Sequence, residues 1–234
     1  MKKYIAELAM ACLLLISFFV LSKQAAEVVN QLNKKDAVSN VIVVDPGHGG
    51  ADPGMIGLNG LEEKKINLEI SLKLKSALEE KGFSVVMTRQ EDKGLYEDAS
   101  HNMKSQDMQR RIALINEAEP VLTVSIHQNS YGDAGVKGPQ VFYFQHSAEG
   151  EKLAKTLQEY LNRGLEVERE REAKPNTSYY LLKRSEGVLV IAECGFLTNP
   201  DEVALLQTEE YQNKVAKALA DGVEAYLEEK KTLN

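Results

Sequence analysis

The sequence predicts an α/β domain: a twisted, mainly parallel sheet with helices on both faces, preceded by an N-terminal membrane segment. Short β-branched runs alternate along the chain with Leu, Ile and Val stripes at helical spacing, the pattern of a parallel sheet covered on both sides. The length, 234 residues, suits a single domain with an ample apolar core. With 43% hydrophobic and 27% charged residues, the chain is neither disordered nor fibrous. A balance of 28 basic against 35 acidic side chains gives a net charge of −7, and aromatics are 6% with no Trp. That composition argues against a nucleic-acid partner, which would need cations for phosphates and rings for bases. Two cysteines, Cys12 and Cys194, are too few for a disulfide framework or a Cys-rich zinc knuckle.

The elements follow in order. Met1-Lys2-Lys3 precedes an apolar run over residues 4–21 that only Glu7 interrupts. At roughly 1.5 Å per residue this run is just long enough to cross a bilayer. A basic flank before an apolar run reads as a Sec-type export signal. Ser22-Lys23-Gln24-Ala25-Ala26 supplies the small-residue cleavage pattern badly, so the segment is expected to stay as an anchor, cleavage being the open alternative. Residues 1–22 are then signal or anchor, residues 23–40 a polar spacer, and residues 41–230 the folded domain. The domain is placed on the outer face of the cytoplasmic membrane, with secretion as the alternative.

Val41-Ile42-Val43-Val44 is the first buried strand. Ile66, Ile70, Leu74 and Leu78 stripe the first helix, and Gly82 stops it. A second strand spans residues 83–88, and Met108, Ile112 and Ile115 mark a second helix that ends before Pro120. Strands follow at residues 121–126 and 141–144. Leu153, Leu157, Leu161 and Leu165 stripe a third helix, residues 188–191 form another strand, and Val215, Leu219, Val223 and Leu227 stripe a terminal helix. Residues 90–105 and 163–178 are expected to be long polar loops.

The polar residues gather at one edge of this frame. The first strand runs into Asp45-Pro46-Gly47-His48-Gly49-Gly50, the third into His127-Gln128-Asn129, and the strand after Val188 into Ala192-Glu193-Cys194-Gly195. Ligand sites of such sheets lie at the carboxyl ends of the strands. Glu62 or Glu63 opens the first helix at the same edge. Two histidines and carboxylates from separate elements make the composition of a catalytic zinc site, with three protein ligands and one open position. Each residue alone has a plainer account. A lone strand-end His is commonly structural, and Glu193 could be a buried carboxylate paired with Arg89. Cys194, on the strand face opposite Glu193, reads as a small buried residue and not a nucleophile. His101 and His146 read as ordinary surface side chains, His101 with the option of touching substrate from its loop. A dinucleotide loop fails, because the sixth position of a motif opening at Gly47 is Asp52, followed by Pro53.

Five blocks then occur in register. They are Val43-Val44-Asp45-Pro46-Gly47-His48-Gly49-Gly50-Ala51-Asp52-Pro53-Gly54, Leu61-Glu62-Glu63-Lys64, Met87-Thr88-Arg89, Ser125-Ile126-His127-Gln128-Asn129, and Glu193-Cys194-Gly195-Phe196-Leu197-Thr198-Asn199-Pro200. Together they resemble the zinc-dependent N-acetylmuramoyl-L-alanine amidases of the amidase-3 type. The resemblance covers residues 41–227 and implies a zinc-exopeptidase-like amidase fold. It implies that His48, Glu63 and His127 hold one zinc ion, with Glu63 preferred to Glu62 because it precedes Lys64. It implies Glu193 as the catalytic acid/base and peptidoglycan as the substrate. Arg89, Asn129 and Asn199 fall in family blocks, and Arg89 and Asn129 are expected at the substrate or behind the site. Met55, Ser130 and Cys194 depart from the usual residues without touching an expected ligand. A single short domain behind an anchor is similar to the germination-specific members, which act on spore cortex on the way to muramic lactam. The same resemblance implies the forespore envelope as an alternative location, and an accessory activator protein is a further partner to test for.

The expected reaction hydrolyses the amide between the lactyl group of N-acetylmuramic acid and L-alanine. Two other functions stay in view: a zinc peptidase acting within the stem peptide, and a wall-binding module without catalysis. Identifying the amine released from wall fragments separates the two enzymes.

Overall fold

The β-branched run that starts the domain is a central strand. In a computed structural model that describes residues 21–23, 40–97 and 102–232, β1 (Val41–Pro46) pairs in parallel with β2 (Ser84–Met87) on one side and β3 (Leu122–Asn129) on the other. Next to β3, also parallel, lies β6 (Leu189–Phe196). Against β6 runs β4 (Gln140–Phe144), antiparallel, and β5 (Lys174–Asn176) closes the far edge parallel to β4. The order is β2-β1-β3-β6-β4-β5, so four strands share one direction and two oppose it. The compact unit runs from Asn40 to Asn234.

Helices cover both faces, as the continuous apolar strands require. On one face α1 (Glu63–Glu80), α3 (Ala148–Gly164) and α6 (Glu209–Thr232) bury the stripes read from the sequence: Ile66, Ile70, Leu74 and Leu78; Leu153, Leu157 and Leu161; and Val215, Leu219, Val223 and Leu227. On the other face lie α2 (Met103–Glu117) and the short α4 (Tyr180–Arg184), around Val43, Ile115, Leu181, Leu182, Leu189 and Ile191. A last short helix, α5 (Pro200–Leu206), follows β6.

Strand parity decides what reaches each face. Ile42 and Val44, Leu122, Val124 and Ile126, and Val190, Ala192 and Cys194 all join the larger core. With a side-chain period of two, the intervening residues must face the other way. Asp45, Ser125, His127 and Glu193 therefore fall on the face shared with Val43 and Ile191. Ser125 pairs with Asp45, and His127 with Glu193, in adjacent strands. The sheet thus carries one face that is apolar until Gln128 meets Asn67 of α1 at its carboxyl edge, and one that turns polar across the carboxyl ends.

Three elements were not expected. β5 lies inside the stretch read as a polar loop; at three residues with a central Pro it has the form of an edge strand, too short for a periodic signal. Only five residues long, α4 leaves no stripe. The signal for α5 was present, because Asn199 caps it by accepting from the Glu202 N–H and Pro200 opens it. Gly82 ends α1 as expected, at φ +86°. Among the described residues no helix is long and apolar enough to cross a membrane. Residues 1–20 of the expected anchor, and His101, lie outside the described residues.

Candidate active site

His48 follows β1 in a left-handed conformation, φ +62°, that few non-glycine residues adopt. Its loop is tied down on all sides. Gly49 and Asp52 exchange backbone hydrogen bonds of 3.0 and 3.2 Å, and Lys64 Nζ donates to the Gly50 carbonyl at 2.8 Å. Arg111, on α2, donates to the carbonyls of Pro46 and His48. Such strain persists only where the surroundings over-determine the backbone, which is common at functional sites.

Glu63 opens α1 with its carboxylate between the two imidazoles. His48 Nε2 lies 3.2 Å from Oε2, and His127 Nδ1 lies 3.0 Å from Oε1. The same oxygens accept the Met55 N–H at 2.8 Å, the Gln128 N–H at 3.1 Å and the Asn67 amide at 3.1 Å. Glu63 is 4% exposed. Burial alone would raise its pKa, but the two imidazoles outweigh that and hold the carboxyl well below the usual range. Two glycines make the approach feasible. A Cβ on Gly54 would stand 2.5 Å from Glu63 Oε2, and one on Gly47 would stand 2.3 Å from the His127 ring.

The free side of His48 is also fixed. Its Nδ1 lies 2.9 Å from Asp52 Oδ2, while Asp52 Oδ1 accepts the Gly54 N–H at 3.1 Å. Burial would lower the imidazole pKa, but the bonds to Asp52 and Glu63 prevail and raise it to about 9. Metal-binding histidines commonly carry such a carboxylate on the second nitrogen, which sets tautomer and ring orientation.

Ligand atoms of His48, Glu63 and His127 all lie within 4.8 Å of one another. Two imidazoles and one carboxylate form a donor set suited to zinc. Beside them Glu193 is buried at 7% exposure, with Oε2 bonded to nothing among the described residues. Burial first, with the Glu63 charge adding, pushes its pKa up to about 7. The four side chains line a cavity of about 380 Å³ bounded by Met108, Tyr179 and Ile191. An orphaned buried carboxylate facing such a donor set fits a bound cation and its water.

The profile of a family described as N-acetylmuramoyl-L-alanine amidase matches residues 42–225. The chain belongs to that family. This amidase is 38% identical over 193 residues to the germination-specific N-acetylmuramoyl-L-alanine amidase of Bacillus subtilis (strain 168), covering 81% of each chain. It is 31% identical over 204 residues to the amidase LytC of the same organism, covering 86% of this chain and 38% of that one. It superposes with a TM-score of 0.78 on the CwlD amidase from Clostridioides difficile, solved in complex with the GerS lipoprotein. That pair shares 36% identity over 80% of this chain and 98% of the other.

Within the amidase fold the structure brings together four of the expected site residues: His48, Glu63, His127 and Glu193. Glu62 precedes α1 without a capping hydrogen bond and pairs with Lys65 at 2.8 Å, outside the cluster. Arg89 and Asn129, expected at the substrate or behind the site, do not line the cavity. The Arg89 guanidinium is buried and donates to the carbonyls of Pro46, Gly47, Lys64 and Glu91, so it fastens the loop behind His48 and does not pair with Glu193. Asn129 accepts the Ser130 N–H at 2.8 Å and shapes its own turn. Asn199 caps α5 and donates to the Ala134 carbonyl at 2.8 Å. Cys194 is fully buried in the larger core, where burial raises its thiol pKa and leaves it inert. His146 is exposed against Phe144.

Asp45, Asp52 and Arg111 were missed. Arg111 had a signal: it occupies the apolar stripe of α2 between Met108 and Ile115, where a charge needs a buried partner. That partner is Asp45, at 2.7 Å.

Proposed function

We propose that the chain is a zinc-dependent N-acetylmuramoyl-L-alanine amidase of peptidoglycan that acts on spore cortex. The observation that carries the chemistry is the orphaned Glu193 carboxylate, buried in the same cavity as three clustered metal-type donors. His48 through Nε2, His127 through Nδ1 and Glu63 through its carboxylate would hold the ion. When bound, zinc supplies a Lewis acid that polarises the scissile carbonyl and makes water ionisable near neutral pH.

The side chains do the rest. Glu63 and Asp52 hold His48 from its two ring nitrogens, so the ligand geometry is set before any ion arrives. Glu193, with a pKa of about 7, takes a proton from the attacking water and passes it to the amide nitrogen. The water oxygen bonds to the lactyl carbonyl carbon, the C–N bond breaks, and the products are a lactyl carboxylic acid and a peptide with a free amino terminus. Protonation matters because an amide anion leaves poorly. The apolar wall of Met108 and Ile191 keeps the carboxyl in the environment that sets its pKa.

The spore role is supported by the similarity to the germination-specific relative, and export to the outer face of the membrane by the substrate and the apolar amino terminus. The CwlD structure was solved with a lipoprotein, which supports an accessory partner here as well. Glu193→Gln is expected to lower kcat by about 10² to 10⁴ while bound zinc, counted by elemental analysis, is unchanged. Full activity in that variant, or newly exposed amines from within the stem in place of alanine, sinks the proposal.

A further inference from the structure

The cavity beside Glu193 has an outlet. It shares Lys104, Met108 and Tyr180 with a second hollow of about 560 Å³, lined also by Asn102, Met103 and Ser105. The two form one trough between the first turns of α2 and α4. Its inner end sets the apolar Met108, Leu181 and Ile191 beside the site's own histidines and carboxylates, with Asp52 and Asp107 also in the lining. Its outer walls carry Tyr180, 46% exposed, and Lys104, whose side chain is 81% exposed. The Arg184 guanidinium sits 5.8 Å from the centre of the Tyr180 ring. A chain of net charge −7 thus places two cations beside this outlet. Lys104 Nζ lies 3.9 Å from Asp52, but a pair that exposed contributes little and leaves the ammonium able to turn to a ligand.

The reaction divides the substrate into an acyl arm, the sugar, and an amine arm, the peptide. The departing nitrogen must touch the group that protonates it, so the amine arm leaves past Glu193. Glu193 shares its cavity with Tyr179 and Tyr180. The trough continues past Tyr180. Charge selects the same arm, because a muramic acid whose lactyl carboxyl is tied up in an amide is neutral, whereas the stem carries a free carboxylate on its second residue, D-glutamate.

We propose that the trough is the stem-peptide subsite: the peptide lies along Met108 and the Tyr180 ring, and its D-glutamate carboxylate meets the Lys104 ammonium. The inference rests on the amidase reading above. It makes Lys104 and Tyr180 residues that set stem specificity, separating stems with a free carboxylate from amidated ones.

Two measurements on the full chain test it. With ¹³C-methyl methionine, titration with the free tripeptide L-Ala-γ-D-Glu-diaminopimelate shifts the Met103 and Met108 methyls, and N-acetylmuramic acid does not. Shifts with the sugar alone, or none with the peptide, overturn the assignment. In kinetics, Lys104→Glu lowers the preference for muramyl peptides with a free D-glutamate carboxylate over their carboxamides by about fivefold, the scale of an exposed ion pair reversed in sign. An unchanged preference removes Lys104 from the subsite. If the wild-type chain frees no alanine amine, the amidase reading falls while the titration still decides the trough.

Discussion

Asp52 illustrates how one side chain tunes another in this site. It contacts neither Glu63 nor His127, yet it occupies the ring nitrogen of His48 that faces away from the cluster. Removing it should leave the three donors in place but free one imidazole to rotate or change tautomer. Asp52→Asn is expected to weaken zinc binding about 10- to 100-fold, measured by competition with a chromophoric chelator. The pH dependence has a definite sign. Zinc takes the neutral imidazole, and in the metal-free protein the His48 pKa is raised to about 9. A proton therefore competes with the metal at every pH below that, and affinity should rise about tenfold per pH unit up to roughly pH 9. An affinity flat between pH 6 and pH 8 contradicts the His48 assignment.

Between elements, the decisive contact is Arg111 from α2 on Asp45 at the end of β1. Arg111 is 2% exposed; it bonds Asp45, Asp107 and two carbonyls, while Asp45 also accepts from Thr88 and Ser125 at 2.6 Å each. The pair ties the helix to the loop that bends through His48. Removing one partner leaves a buried charge, so Arg111→Ala should cost about 3–5 kcal/mol by chemical denaturation. Burial would raise the Asp45 pKa, but the Arg111 charge and three hydrogen bonds lower it from 3.8 to about 2. A depressed carboxylate pKa stabilises the fold fully above pH 3.8, and that contribution is lost as pH falls through about 2. Asp45→Asn should therefore show a shallower loss of stability between pH 5 and pH 2 than wild type. On the opposite face α3 and α6 pack closely where Gly222 meets Leu157: a Cβ there would stand 2.8 Å from Leu157 Cδ2. Gly222→Val should destabilise by about 1–3 kcal/mol despite removing a helix glycine, read as a lower Tm.

For the whole molecule, the core found among the described residues lies within the unit that starts at Asn40. A chain beginning at residue 40 is expected to keep the Tm and the amidase activity of the full chain on soluble muropeptides. A large loss of either would show that residues 1–39 contribute to folding or to the site. The elements with long periodic signals were legible from residues alone. The stripes of α1, α3 and α6 and the runs in β1, β3 and β6 are repeated choices of one residue class, and repetition survives without coordinates. The elements β5, α4 and α5, at three, five and seven residues, are too short to repeat anything. The reversal of β4 and β5 was invisible for another reason: strand direction is set by how the connections pack, and a strand reads alike both ways.

By itself the sequence determined the fold class and the carboxyl-end edge, because strand parity and helix starts follow from local spacing, while the choice of Glu63 over Glu62 and the roles expected at that edge came from the family blocks. Only the tertiary structure decided which groups meet. It turned Arg89 away from the cavity, set Asp52 behind His48 and buried Arg111 against Asp45. These pairings join residues 4 to 66 positions apart through a left-handed turn and a helix crossing the sheet. Burial and distance, not residue type, then raised the Glu193 pKa to about 7 and lowered that of Asp45 to about 2.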